Sequence, residues 1–161
     1  MENLLGNIYC WFQSLYGQGL SYYLWGYNPS TGDYTNPDFY NHVGLITLVI
    51  SLVLVVFYYY VINIPRLCKW WSWLITLGIN GMIALFVGYG MVASRYTNGY
   101  IPDVFLYPQG SAIDIDIDII NVPSDFWGFG IANIFVATMM FVILSFMLKW
   151  WSPGAKHVPF L

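Results

Sequence analysis

Three aspartates alternate with isoleucine in the segment "AIDIDIDII", at Asp114, Asp116 and Asp118. Successive side chains of a strand point to opposite faces, so this pattern places three carboxylates on one face and isoleucines on the other. The D-x-D-x-D spacing is similar to that of a calcium-binding loop. That loop also needs a glycine for its sharp turn and a distal bidentate glutamate, and this segment has neither.

Carboxylates on one face of a strand lie about 6.5–7 Å apart, too far for two of them to chelate one ion without a partner strand. A solvated acidic face with an apolar underside is the simplest interpretation. A docking surface for another protein and a cation site are the alternatives, since an exposed strand can also accept a second strand at its edge. Asp114, Asp116 and Asp118 are therefore the leading candidates for binding a partner.

The other reactive residue types form no catalytic pattern. His42 and His157 are the only histidines and Cys10 and Cys68 the only cysteines. In the topology derived below, each pair is divided between the two sides of a membrane, which argues against a shared metal and against a disulfide. No Ser/His/Asp arrangement and no phosphate-binding glycine loop is present. The sequence predicts no enzymatic activity, no metal and no cofactor.

The composition is that of an integral membrane protein. Of 161 residues, 58% are hydrophobic and only 8% are charged, too few to cover a soluble surface. The net charge of −3 and the lack of a basic stripe argue against nucleic acid as a partner.

Three uncharged segments, 43–62, 71–94 and 126–148, are each long enough to cross the roughly 30 Å hydrocarbon core as a helix. We expect an all-α integral membrane protein with a single membrane domain over 1–161. Because no ionisable residue lies inside these spans, ion-coupled transport and proton relays are disfavoured.

The distribution of basic residues predicts the orientation. Four of the five lie in the 64–70 loop or after the third span, and Arg95 is the exception. Since basic residues near span ends favour the cytoplasmic side, we expect the 64–70 loop and the C-terminus to be cytoplasmic. Segments 26–42 and 95–125 are then extracytoplasmic, in what we expect to be a plasma (inner) membrane.

The sequence "KWWS" occurs twice, and both copies fall at the same predicted interface. Indole rings suit the headgroup layer and a lysine stem can reach out of it, so membrane anchoring is favoured over docking of a partner. The predicted anchors are Lys69, Trp70, Trp71, Lys149, Trp150 and Trp151.

Residues 3–25 have a helical period, with polar or small residues on one side and a wide aromatic face on the other. We favour an amphipathic helix that is interfacial or partly inserted. A fourth span, with its polar side facing other helices or a lumen, is the alternative.

The two extracytoplasmic segments carry turn residues. Segment 26–42 has Asn-Pro and Thr-Gly pairs between tyrosines and predicts a short anchored loop. The 95–125 loop has alternating residues on both sides of "PQGS", which predicts a β-hairpin.

Small residues recur at helical spacing in the second span. They let helix backbones approach closely, and a nearby asparagine can add an interhelical hydrogen bond. Packing of the second span against the third within one subunit is favoured, with packing between subunits and a pore lining as alternatives. The residues concerned, which are also candidates for binding a partner, are Gly81, Ala84, Gly88, Asn80 and Asn133.

Taken together, these features predict a non-enzymatic structural or assembly subunit of a larger multiprotein membrane complex. Its expected partners are the lipid bilayer and other membrane subunits or copies of itself, and not nucleic acid. The alternative is a homo-oligomeric pore or channel, in which the polar stripe that includes Asn7, Ser14 and Ser21 lines a lumen.

Overall fold

The computed structural model describes residues 4–61, 70–107 and 118–149, which are mostly helical. In chain order the α-helices are α1 (Leu4–Cys10), α2 (Gln18–Leu24), α3 (Phe39–Val56), α4 (Trp70–Thr97) and α5 (Ser124–Lys149). Helix α3 continues into a π-helical turn over Phe57–Val61, and 3₁₀ turns occupy Gln13–Leu15 and Asp103–Phe105. Two short strands, β1 (Tyr27–Asn28) and β2 (Asp33–Tyr34), form an antiparallel pair.

Three helices are long and apolar enough to cross a membrane, which confirms a helix at each of the three predicted spans. They cover Phe39–Tyr60, Trp70–Thr97 and Ser124–Leu148. The first begins earlier than predicted because the Asp38 carboxylate caps it, accepting hydrogen bonds from the backbone amide and the side-chain amide of Asn41 (3.3 and 2.7 Å). The second extends through Arg95 to its end, where the negative pole of the helix favours a cation.

Helix α5 packs against both α3 and α4. At its crossing with α4, Gly88 lies against Gly130 and Asn133, and a β-carbon added at Gly88 would stand only 3.0 Å from that of Asn133. Gly81 is similarly close to Ile134. The small residues of the second span therefore pack within the chain, as the sequence favoured. We call the end of this bundle where α3 and α5 begin and α4 ends the capped end.

The N-terminal segment is not the single helix predicted over residues 3–25. Helices α1 and α2 have seven residues each and are separated by the 3₁₀ turn. A seven-residue helix is about 10 Å long, far short of a span. The break before α2 falls at Gly17, whose φ of 79° lies in the left-handed region that glycine adopts without strain.

The N-terminal segment packs along α5 as far as Phe12 and then turns back toward the capped end. Leu5 contacts Gly44 of α3, and the Phe12 ring stacks on Phe135 of α5 with centroids 5.1 Å apart. Phe135 lies about 16 Å along α5 from its first residue, whereas Leu15 has returned to Gly128, about 6 Å along. The described residues of this segment thus pack against α3 and α5, and the depth of the segment in a membrane stays a prediction.

A hairpin is present, but in the segment predicted to be a short anchored loop. Tyr27 pairs with Tyr34 and Asn28 with Asp33, and Gly32 in the turn has a φ of 72°. The hairpin predicted in the 95–125 loop has its turn and most of its second strand within residues 108–117, which lie outside the described residues. Its first strand, predicted over residues 100–107, is wrong, because this stretch contains a 3₁₀ turn at Asp103–Phe105 and no strand.

The described flanks of the 95–125 loop, 98–107 and 118–123, contain no strand. They nevertheless meet, because the Ile120 amide donates a hydrogen bond to the Phe105 carbonyl (2.8 Å). Phe105 and Ile120 are both buried in one hydrophobic cluster with Tyr16 and Phe129.

We expect Gly128→Ala to loosen the N-terminal segment. A β-carbon there would overlap the Leu15 carbonyl oxygen, and because the clash is with backbone, a side-chain rotation cannot relieve it. Overpacking of this kind costs about 1–3 kcal/mol. The measurement is the rate of maleimide labelling of Cys10 in a Cys68→Ser background, which we expect to rise.

The matched control is Gly78→Ala, since a β-carbon at Gly78 meets no atom within 4 Å. Equal labelling rates in the two variants would contradict the packing of Leu15 on Gly128.

Candidate functional site

The side chain of Asn133 connects four helices inside the bundle. Its Oδ1 accepts hydrogen bonds from the Tyr9 hydroxyl of α1 and from the Thr47 hydroxyl of α3 (2.5 and 3.0 Å). Its Nδ2 donates to the Ala84 carbonyl of α4 (2.7 Å). Asn133, Tyr9, Thr47 and Ala84 are all buried. One α5 side chain thereby joins α1, α3 and α4.

The side-chain amide of Asn80 also joins helices, farther from the capped end. Asn80 of α4 accepts a hydrogen bond from Ser51 of α3 and donates one to the Ala137 carbonyl of α5, each 3.1 Å long. Ser51 lies one helical turn beyond Thr47, so one face of α3 supplies a hydroxyl to each amide. Unpaired amides are costly in an apolar interior, so these bonds fix the register of all three long helices.

Two tyrosine hydroxyls extend the network toward the capped end. Those of Tyr16 and Tyr40 lie 2.9 Å apart. Tyr16 also donates to the Tyr9 carbonyl, and Tyr40 donates to the Ser21 hydroxyl, both over 3.0 Å. The N-terminal segment is thus bonded to α3 as well as to α5. Hydroxyls and amides of this kind can hold structure, but the network contains no carboxylate or imidazole that could exchange protons near neutral pH.

Beside this network, at the capped end, lies a hollow of about 370 Å³. Its cation is Arg95, whose guanidinium carbon is 4.6 Å from the centroid of the Phe39 ring and 5.3 Å from that of Tyr100. His42 and Asp38 also line it. Within the described ranges, Arg95 forms no ion pair with a carboxylate.

Burial shifts two titratable groups at this hollow. It raises the pKa of the Asp38 carboxyl, and the hydrogen bonds from the backbone amides of Asn41 and Tyr40 oppose that rise. It also raises the pKa of the Tyr23 hydroxyl, against the attraction of the nearby Arg95 guanidinium. Both side chains are partly buried, which is the cause of these shifts.

The predicted acidic site is only partly described. Asp114 and Asp116 lie outside the described residues, while Asp118 is exposed. The backbone of Asp118 is held against α2, because its carbonyl oxygen lies where a β-carbon of Gly19 would be. Ile119 is also exposed and Ile120 is buried. Within the described part of the chain, no group of three or more potential metal ligands comes together.

The other predicted partner-binding residues are buried within the chain. Gly81, Ala84, Gly88, Asn80 and Asn133 are all buried between its own helices. A role for them toward another subunit stays a prediction.

Two of the six predicted membrane anchors are described in full. Trp70 and Trp71 pack edge to face at the end opposite the capped end, where Trp71 is 68% exposed. Lys149 ends α5, and Lys69, Trp150 and Trp151 lie outside the described residues.

Sequence reasoning missed both the bonding role of Tyr9 and the hollow around Arg95. Asn80 and Asn133 were recognised from the sequence, and Thr47 and Ser51 are likewise polar residues within uncharged spans. Tyr9 was not recognised, because a tyrosine on a wide aromatic face carries no sign of a buried hydroxyl partner. Arg95, as the one basic residue on the predicted outer side, was a signal for the hollow.

Comparison with protein-family models, curated proteins and solved structures gave no match to this chain.

We expect Asn133→Ala to destabilise the bundle by about 1–2 kcal/mol, the upper range for hydrogen bonds between membrane helices. The substitution leaves the hydroxyls of Tyr9 and Thr47 without their acceptor. The measurement is the midpoint of thermal or denaturant unfolding in detergent. The control is Asn7→Ala, because Asn7 is exposed. An unchanged midpoint for Asn133→Ala would contradict the central role of this amide.

Proposed function

We propose that this chain is a non-enzymatic structural or assembly subunit of a larger membrane complex. The observation that supports the proposal most is that its buried polar side chains hydrogen-bond to other helices of the same chain. The side-chain amides of Asn133 and Asn80 form hydrogen bonds between helices of the same chain. The result is a preorganised frame, which suits a protein whose role is to hold neighbours in position.

The frame also gives the acidic segment a fixed starting point. The backbone of Asp118 packs on Gly19. Two residues later, the Ile120 amide donates a hydrogen bond to the Phe105 carbonyl. An acidic segment with one end, the exposed Asp118, held at a rigid base is a suitable docking element, because less ordering is required when a partner binds. We therefore keep Asp114, Asp116 and Asp118 as the proposed partner-binding residues, and a strand pairing through this segment as their mode of binding.

The proposed orientation places the capped end outside the cytoplasm. It follows from the basic residues near the opposite end, at Arg66, Lys69, Lys149 and Lys156. In this arrangement the N-terminal segment is a partly inserted amphipathic element of the outer leaflet of a plasma (inner) membrane. The acidic segment then faces the extracytoplasmic space.

The subunit proposal has more support than the pore. The polar stripe that would line a lumen is divided between two environments. Ser21 is buried and accepts a hydrogen bond from Tyr40, whereas Asn7 and Ser14 are exposed. The described residues 4–21 of a single chain thus offer no continuous polar face for a central axis.

The test is purification of the tagged chain from its own host in gentle detergent, followed by native mass measurement. We expect one or two copies in a defined assembly with unrelated membrane subunits. We further expect replacement of Asp114, Asp116 and Asp118 by asparagine to reduce partner recovery several-fold. The matched control is Asp33→Asn, another exposed aspartate on the capped side.

A stable monomer without partners would contradict the proposal. A closed ring made only of this chain, with Asn7 and Ser14 on its axis, would favour the pore instead.

A further inference from the structure

The hollow around Arg95 lies beside the ends of two helices that are long and apolar enough to cross a membrane. It is bordered by Asp38 and Phe39, where α3 begins, and by Arg95, in the last turn of α4. The ends of apolar spans lie near the boundary between hydrocarbon and headgroups. A ligand in this hollow is therefore reached from the membrane surface.

The charge of the hollow suits a phosphate. The Arg95 guanidinium lies over the rings of Phe39 and Tyr100, with the Tyr23 hydroxyl placed to hydrogen-bond with it. A guanidinium has five N–H donors, so further donors remain for an anion. His42 borders the same space. An arginine fork binds phosphate oxygens through paired, charge-assisted hydrogen bonds.

A second hollow adjoins the first on the side of the N-terminal segment. It shares Asn36 and Asp38 with the first and is otherwise lined by Trp25 and Tyr34. Aromatic rings beside a carboxylate are the surroundings that bind an ammonium group. A cation and an anion could thus be held side by side, with the phosphate at Arg95 and the ammonium at Asp38.

A third hollow continues from Arg95 along α4. It shares Phe39 and His42 with the first and reaches Met91 and Gly90, about 7 Å deeper along the helix. Gly90 is exposed, and a β-carbon there would meet no atom within 4 Å. This groove leads from the charged hollow toward the hydrocarbon layer, as an acyl chain does.

We propose that the three adjoining hollows form a binding site for one zwitterionic phospholipid with an ethanolamine-type headgroup. Arg95 binds the phosphate, Asp38 with Trp25 and Tyr34 receives the ammonium, and the groove at Gly90 takes the start of an acyl chain. This site is independent of the subunit proposal, because it needs only a single chain and lipid.

A position near the C-terminus of a helix would account for an arginine by itself. It does not account for the open groove at Gly90 or for the aromatic and acidic lining next to Arg95. The variants below separate these explanations, since each changes a different hollow.

The experiment measures binding of short-chain phosphatidylethanolamine to the delipidated full chain in detergent by native mass spectrometry. We expect one lipid per chain, and affinity lowered about tenfold or more by Arg95→Gln through loss of the charge-assisted bonds. Gly90→Leu, which fills the groove, is expected to weaken lipid binding to a similar degree. Its control is Gly78→Leu, which adds the same side chain at another exposed, open position of α4 and is expected to leave binding unchanged.

Two further measurements test which parts of the lipid the site recognises. Asp38→Asn keeps a good helix-capping residue but removes the charge, so it should weaken phosphatidylethanolamine binding and leave phosphatidylglycerol binding unchanged. Inorganic phosphate and phosphoethanolamine should compete poorly, because neither occupies the groove.

Unchanged lipid affinity in Arg95→Gln would overturn the proposal. So would strong competition by inorganic phosphate combined with no effect of Gly90→Leu, since that pair of results indicates a free-phosphate site. Gly90 lies outside the packed core, so the Gly90→Leu variant still tests the proposal even if Arg95→Gln folds poorly.

Discussion

The side-chain amide of Asn133 imposes the constraint on which the rest of the bundle depends. An amide in an apolar interior must find both donors and an acceptor, and here they come from Tyr9, Thr47 and Ala84. Three helices could slide or rotate against each other if apolar contacts alone held them. The amide removes that freedom, and Asn80 repeats the restriction nearer the other end of the helices. Backbone approach at Gly88 brings α4 close enough to α5 for these bonds to form.

The path of the N-terminal segment follows from the same constraint. Tyr9 supplies a donor to Asn133, which draws α1 against the long helices, and Gly128 lets the returning chain at Leu15 pass directly over α5. Tyr16 and Tyr40 then secure the return. Each helix of the segment is too short to span a membrane, and the segment is hydrogen-bonded to α5 and α3. The rigid frame proposed for assembly is therefore built from the same bonds that seat this segment.

The capped end gains its distinct surfaces from this arrangement. The seated N-terminal segment provides Tyr23 and Trp25 as walls of the hollows beside Arg95, and Gly19 as the support for the backbone at Asp118. Lipid binding and partner docking, as proposed, would occur next to each other. They remain separable because the first depends on Arg95 and Gly90 and the second on the aspartates of the 114–118 segment.

The sequence by itself determined the three long apolar helices, because a run of about 20 uncharged apolar residues satisfies its backbone groups in lipid only as a helix. It also identified the small residues of α4 and the two asparagines, since polar and small residues in such spans stand out. Only the tertiary structure decided that the asparagines bond within the chain and that α1 and α2 are separate helices. Nor could the sequence show that the hairpin lies at Tyr27–Tyr34 or that Arg95 borders an open groove. Each of these depends on contacts between residues far apart in the chain, such as the 124 positions between Tyr9 and Asn133, which local periodicity does not record.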